Sequence, residues 1–285
     1  MKRKKQTVAV VGSGNLGRVL AMALDRAGYR VVEIINRDLT RARKLAGGVS
    51  ARAVALDEKT PLVADVFWIC VTDDAIPEVA AALAHSKTEW RGKVVVHTSG
   101  AYGSAELKAL KRKGAAVASA HPMNSFVRSS KPDFRGVPFA LEGDGVAVKL
   151  AGAIATSLGG EVFTIRPEDK VLYHAMGAFS SPLLVSLLYA GERLGKAAGL
   201  REPRKVMARI LRETVENFLQ NGGEAAFSGP IKRGDLKTVE KHLKALSRVQ
   251  GTQAIYQVLA IQAVHGLPGK EKKAMLKALS KTLAK

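Results

Sequence analysis

Cysteine is all but missing from this chain. The single one, Cys70, excludes an intrachain disulfide and suits a reducing compartment, because disulfides persist where the surroundings oxidise. It lies in the apolar run from Val66 to Val71 and reads as an inert buried thiol. Metal-ligand spacing is lacking as well: six scattered histidines form no cluster with that cysteine, so no metal is expected. Aromatic residues make up only 5% of the chain, too few to interleave with a basic surface as stacking platforms for nucleic acid. That shortage matters because the net charge of +20 points the other way, toward nucleic acid, anionic membranes or acidic ligands. The surplus is spread evenly, ten positive charges over residues 1–142 and ten over residues 143–285. A nucleic-acid face needs a focused stripe, so no specific nucleic-acid partner is expected. Met1–Lys5 reads as a solvated basic tail.

One long stretch lacks charge altogether. From Val171 to Gly191 there is no Asp, Glu, Lys or Arg, which is about the length that spans a bilayer. It contains His174, serines and Pro182, and charged residues flank it at both ends. It therefore reads as a central helix buried within a domain or between subunits, not as a membrane span. No signal peptide is visible, since the apolar run Thr7–Val11 is short and merges into a glycine-rich motif. The expected location is cytoplasmic.

The acidic residue that marks one kind of nucleotide site is missing too. Residues 8–17 run from a β-branched stretch into Gly12, Ser13, Gly14, Asn15, Leu16 and Gly17, and an apolar-periodic helix follows. In this strand–turn–helix context the three glycines serve a tight turn, a close ligand approach and close helix–strand packing. The helix start then faces a pyrophosphate with free amides and the positive end of its dipole. A second strand ends about 20 residues on, where a ribose lies. There the chain has Asn36 and Arg37, followed by Arg41, Arg43 and Lys44, instead of a carboxylate. A guanidinium holds a 2′-phosphate that a carboxylate would repel, so the expected cofactor is NADP(H).

An alternating strand–helix pattern runs to about residue 165, with apolar strands at 63–71, 94–97, 115–120, 137–141 and 162–165. Near-continuous apolar strands belong to a sheet covered on both faces. Beyond Pro167 the strand signal vanishes, and helical patterns follow at about 168–198, 201–220, 235–247, 251–265 and 268–284. The expected fold is α/β: a doubly wound, mostly parallel sheet over residues 1–165, then an all-helical domain over 166–285. In an open sheet of this kind, ligands bind outside the carboxyl ends of the strands. Val71, Thr72, Thr98, Ser99 and His121 are strand-end residues and should ring one crevice. Val71, Thr72 and Ser99 are expected at the cofactor, and Ser99 and His121 at the substrate.

Several particular segments carry a family resemblance: Gly12–Gly17, Asn36-Arg37, His97–Ala101, His121-Pro122, Pro167–His174 and Ser228–Asp235. With these the chain resembles, over nearly its whole length, bacterial proteins in which a Rossmann-like domain precedes a domain of unknown function, DUF2520. These are relatives of pyrroline-5-carboxylate reductase and the β-hydroxyacid dehydrogenases. The resemblance implies an NAD(P)-dependent oxidoreductase, usually dimeric, some members being assigned as ketopantoate reductases. In the wider dehydrogenase group an interdomain helix carries a lysine and, four residues on, an asparagine. Here the pair is Lys170 and His174, one turn apart and so on one helix face. Lys170 is thereby implied as the general acid for an alkoxide formed by hydride transfer, with His174 beside it. Lys232 and Arg233 are candidates for holding a substrate carboxylate.

The expected function is reduction of a small carbonyl or imine substrate by hydride transfer from NADPH, a 2-oxo acid such as ketopantoate being one such substrate. A non-catalytic NADP(H) sensor is the alternative, kept open by His174 standing where relatives have asparagine.

Overall fold

The computed structural model describes residues 6–57 and 59–281, so the basic tail expected at Met1–Lys5 lies outside the described residues. By its internal contacts the chain forms two compact units, Met1–Phe179 and Ser180–Lys285.

The first unit begins with strand β1 (Thr7–Val11), helix α1 (Asn15–Arg26), strand β2 (Arg30–Asn36) and helix α2 (Leu39–Gly47). Next come strands β3 (Arg52–Ala55) and β4 (Val66–Ile69), helix α3 (Ile76–Ala84), strand β5 (Val94–His97) and helix α4 (Lys108–Arg112). Strands β6 (Ala116–Pro122) and β7 (Pro138–Gly143), helix α5 (Gly145–Ser157), strand β8 (Glu161–Thr164) and helix α6 (Lys170–Ser180) complete it. Among the described residues the eight strands form one sheet in the order β3-β2-β1-β4-β5-β6-β7-β8. All neighbouring pairs are parallel except β6 with β7. Both faces are covered, as the apolar strand sequences require. Val8 and Val10 of β1 pack with Val19, Leu20 and Leu24 of α1, whereas Ala9 and Val11 point to the opposite face with Val79 and Leu83 of α3. The period-2 alternation of a strand produces this split.

β5 forms at the expected residues and the other apolar strands within three residues of theirs. β3 and α4 carried no clear signal: β3 is a short edge strand that reads Arg-Ala-Val-Ala, and α4 spans barely one turn. A buried carboxylate ties β3 to the next strand. Glu33, fully enclosed on β2, accepts from the Arg52 guanidinium at 2.6 Å and from the backbone amides of Val63 and Ala64.

The second unit is helical: α7 (Pro182–Ala197), α8 (Pro203–Ala226), α9 (Pro230–Arg233), α10 (Leu236–Leu246), α11 (Thr252–Gly266) and α12 (Lys272–Ser280). Its core joins Val239 and Leu243 to Ala260, Val264, Met275 and Leu279. Asp235 caps α10 by accepting from the Thr238 amide and hydroxyl.

The helix expected over 168–198 is divided. Ser181 leaves helical geometry (φ −132°, ψ −85°) just before Pro182, where a following proline disfavours the α region, and Pro182 opens α7 at the first position, where no amide is missed. The run Pro167–Ala197 is long and apolar enough to cross a membrane by length and composition. The break leaves helices of 11 and 16 residues, about 16 and 24 Å long at 1.5 Å per residue, each shorter than the roughly 30 Å hydrocarbon layer. Burial within its own chain is not found. Leu172 is 77% exposed and Phe179 71%, and Leu183, Val185 and Tyr189 are exposed too.

Glu33→Ala strips a partly exposed guanidinium and two backbone amides of their acceptor. It should destabilise the protein by about 2–3 kcal/mol, read as a lower urea midpoint at unchanged slope. An unchanged midpoint would mean that the carboxylate is dispensable.

Candidate active site

The glycine turn is built as its sequence required. Gly12 has φ +100°, and a side chain there would lie 2.4 Å from the Cys70 carbonyl oxygen. A Cβ on Gly17 would stand 2.0 Å from the Gly12 carbonyl oxygen, so α1 meets the turn at the closest possible approach. In front of Gly14 the opposite holds, with no atom within 4 Å of a Cβ position. Gly14 is also the N-cap of α1 and no side chain caps that helix, which leaves its first amides for an anion. A pyrophosphate fits this cradle.

Around it, the Asn36 amide donates to Ser13 Oγ at 2.6 Å, and Asn36 Oδ1 accepts from the Asp38 backbone amide. Asp38 is the next carboxylate along the chain, and it is engaged. It caps α2 through the amides of Thr40 and Arg41 and pairs with the Arg41 guanidinium at 3.3 Å. Arg37 is exposed and ion-pairs with no described residue, so the charge available beside the ribose position is positive. Val71 touches Gly12, and Thr72 is exposed just beyond β4. Asn15 and Arg18 hold a loop instead of standing free: Asn15 Nδ2 donates to Phe126 O, and Arg18 donates to the carbonyls of Arg128 and Ser130. Leu16 packs into the core. Cys70 is buried as expected, its thiol pushed up to about 12 by desolvation.

A second cluster lies where α6 meets the ends of β5 and β6. Ser119 and His121 are two residues apart and share a strand face, while Lys170, Tyr173 and His174 share a helix face. Lys170 is completely enclosed. Its ammonium donates to Ser99 O at 3.1 Å and to Ser119 Oγ at 2.8 Å, and that hydroxyl donates onward to Ser99 O. Burial lowers the Lys170 pKa, opposed by the carboxylates of Glu142 and Asp73. In this conformation the ammonium staples two strand ends. Ser99 is likewise buried, its hydroxyl accepting from the amides of Ala101 and Tyr102 to shape the turn.

The groups that face outward are the aromatic ones. His121 Nδ1 lies 3.0 Å from the Tyr173 hydroxyl, with the rings edge to face. His174 is exposed and meets His121 edge-on at 5.7 Å. Gly100 makes this meeting possible, because a Cβ there would stand 2.5 Å from His174 Cδ2 and 2.9 Å from His121 Nε2. His121 is pushed down to about 3 by burial first and then by the Lys170 charge, so it is neutral. His97 falls to about 4, mainly by burial. Its Nδ1 accepts from the Ser99 amide, so the proton sits on Nε2, which donates to Gly103 O. Burial raises Tyr173 to about 12.

The structure therefore brings together Ser99, His121, Lys170 and His174 of the expected residues. Lys232 and Arg233 stand on α9 in the second unit. Sequence reasoning missed Tyr173, Ser119, Glu142 and Asp73. Ser119 had a usable signal, being two residues before His121 on the same strand, and so did Tyr173, three residues after Lys170. No group of three or more metal-ligating side chains occurs among the described residues.

Two family models match the chain, a Rossmann-like domain over residues 1–122 and a domain of unknown function, DUF2520, over residues 137–263. The chain joins a Rossmann-like domain to a DUF2520 domain. The DUF2520 match begins just before β7 and includes β7, β8 and all of α6, so the Lys170–His174 face belongs to it. Among solved structures, the chain is similar to a Bacteroides fragilis protein provisionally named an NADP oxidoreductase (25% identity, TM-score 0.77), covering 90% of this chain and 97% of that one. A Thermotoga maritima protein shares 28% identity at a TM-score of 0.69, over 95% and 98% of the two chains. An imine reductase from Myxococcus stipitatus, solved in complex with NADP+, matches at 17% identity and TM-score 0.66 over 96% and 99%. At that identity the likeness speaks for the fold alone.

Both low-pKa histidines bind protons more weakly in the folded than in the unfolded chain, whose value is near 6.5. Their contribution to stability is complete above pH 6.5 and is lost as pH falls through the window toward 4, because the unfolded state takes up protons first. The unfolding free energy from urea titrations should drop across that window, by up to about 1.4 kcal/mol per pH unit for each histidine. His97→Gln should flatten the slope by about one proton. A slope unchanged by His97→Gln would contradict the assignment.

Proposed function

We propose that the protein is an NADP(H)-dependent oxidoreductase that reduces a small carbonyl or imine compound by hydride transfer. The observation that carries the proposal is the uncapped glycine cradle with Arg37, and no free carboxylate, at the ribose end of the neighbouring strand. The name of the Bacteroides fragilis protein and the NADP+ bound to the Myxococcus stipitatus enzyme support it. NADP(H), when bound, supplies or accepts the hydride. The residues that would hold it are Gly12–Gly17 with Ser13 and Asn36, Arg37 at the 2′-phosphate, and Val71 and Thr72 beyond β4.

A 2-oxo acid is the substrate class to test first, with ketopantoate as its first member and Lys232 or Arg233 as the partner of its carboxylate. Lys170 is the general acid of this proposal, with His174 one helix turn on. Its ammonium joins the ends of β5 and β6 beneath the turn at Ser99–Gly100, and its charge helps keep His121 neutral. In the alternative reading, the same cradle binds NADP(H) in a sensor without turnover.

A homodimer completes the proposal. Leu172, Phe179, Val206, Ile210, Phe218 and Leu219 are exposed on α6 and α8, more apolar surface than a soluble monomer leaves open. A second copy would cover it in the cytoplasm, where a lone buried thiol is at home.

Titration of both cofactors against the protein should show NADPH bound more tightly than NADH. Arg37→Asp should weaken NADPH by about 2 kcal/mol, roughly 30-fold, through lost charge-assisted bonds and added repulsion. Equal affinity for the two cofactors in the unmodified protein would remove the NADP assignment. Sedimentation equilibrium without detergent should give a dimer; a concentration-independent monomer would count against it, and partition into membranes would overturn the soluble reading.

A further inference from the structure

A buried ammonium needs a counter-charge, and a general acid serves only while it keeps its proton. Both requirements meet at Lys170. We infer that Glu142 of β7 is the counter-charge that holds Lys170 as an ammonium, a positioning residue that fixes the pH range over which Lys170 can donate; this deepens the reductase reading above and rests on it.

β6 and β7 run antiparallel, and in their register Ser119 stands directly opposite Glu142. Residues so opposed share a face, with Cβ atoms about 5 Å apart. Ser119 Oγ accepts from the Lys170 ammonium at 2.8 Å, so the carboxylate of its cross-strand neighbour lies beside the same charge. Glu142 is buried. Its two oxygens accept from the Ser104 amide at 2.7 Å and the Ser104 hydroxyl at 2.8 Å, and among the described residues no cation pairs with it directly. Gly103 closes the other side. A Cβ there would stand 3.8 Å from Glu142 Oε1 and 3.7 Å from Pro167, three residues before Lys170. The turn after β5 and the approach to α6 thus shut the carboxylate away from water, where its field is least screened. Burial lowers the Lys170 pKa, and Glu142 opposes that more than Asp73 does.

No other group around the ammonium can take this part. Asp73, just beyond β4, is partly exposed and screened by water. His97 on β5 and His121 on β6 are held low by burial and by Lys170 itself, so both are neutral. On α6, burial raises Tyr173 to about 12 and keeps it neutral, and His174 can add only positive charge. Two of the three ammonium hydrogens are taken, by Ser99 O and Ser119 Oγ. The third has no acceptor among the described residues. When hydride adds to a carbonyl carbon, the π pair moves to oxygen, and that oxygen takes a proton from Lys170 Nζ. The lysine is left as a neutral amine and regains a proton from water before the next turnover. An amine that has already lost its proton cannot serve, so the charge on Glu142 decides how far up the pH scale the reaction runs.

Glu142→Gln removes the charge and keeps an acceptor for the Ser104 amide, so it separates an electrostatic role from a structural one. The ¹³Cε and ¹⁵Nζ resonances of Lys170 report its protonation directly, with no substrate needed. The expected result is an ammonium at neutral pH in the unmodified protein and a titration about one pH unit lower in Glu142→Gln. Glu142→Asp, which keeps the charge, should fall between the two. With NADPH and ketopantoate, the limb on which kcat falls as pH rises should move down by the same interval in Glu142→Gln, about a tenfold loss at a fixed pH on that limb, with NADPH affinity unchanged. A neutral Lys170 amine at neutral pH in the unmodified protein would overturn the inference without any variant. A titration that Glu142→Gln leaves in place would overturn it too, and one that moves while the kcat limb stays would sever Glu142 from proton donation. NADPH that fails to bind would overturn the reductase reading instead, and the titration would still decide the charge pairing.

Discussion

An ammonium shut away from water is the constraint on which the site depends. Lys170 loses its hydration, and the loss is tolerable because two oxygens replace water as acceptors while Glu142 and Asp73 supply opposing charge. The acceptors belong to different strands, so satisfying the charge draws the ends of β5 and β6 to the start of α6. Everything on the outward side of that helix inherits its position. Tyr173 and His174 are three and four residues on, and they meet His121 because the helix is anchored at Lys170. Removal of the anchor would release a helix that leaves most of its apolar surface uncovered by its own chain.

Much of the frame could be read without coordinates, because it follows from periodicity. Apolar runs with period 2 or with no polar interruption became sheet strands, and the glycine motif had the strand before it and the helix after it that make such a motif meaningful. β3 escaped notice because an edge strand of four residues, one of them arginine, has little apolar pattern. The break at Ser181 was readable in principle from Pro182, but the absence of charge across it suggested continuity. Lys170 stood out in the sequence, but the partners of its ammonium did not. A lysine in the first turn of a helix is ordinarily solvated, and only the two oxygens facing it turn it inward. Those oxygens, on Ser99 and Ser119, lie 71 and 51 residues away, so nothing local announces them.

The second unit shows a different limit. A helix that is apolar on every side must be covered, and the pattern is the same whether the cover comes from the same chain or from another molecule. Its α10–α12 core is built from buried residues in the ordinary way, while α7 and α8 keep large apolar groups on the outside. Pattern reasoning identified most of the helices, joined two of them across Pro182, missed the short α9, and could not say which surfaces their own chain would use.

Gly100 turns a packing detail into a means of classification. With 2.5 Å between its missing Cβ and one imidazole and 2.9 Å to the other, no other residue is compatible with both rings in place. A related chain with alanine or serine at that position must have replaced or rotated one of the two histidines. Inspection of a single backbone position therefore sorts members of this architecture into those that can keep the paired rings in this arrangement and those that cannot.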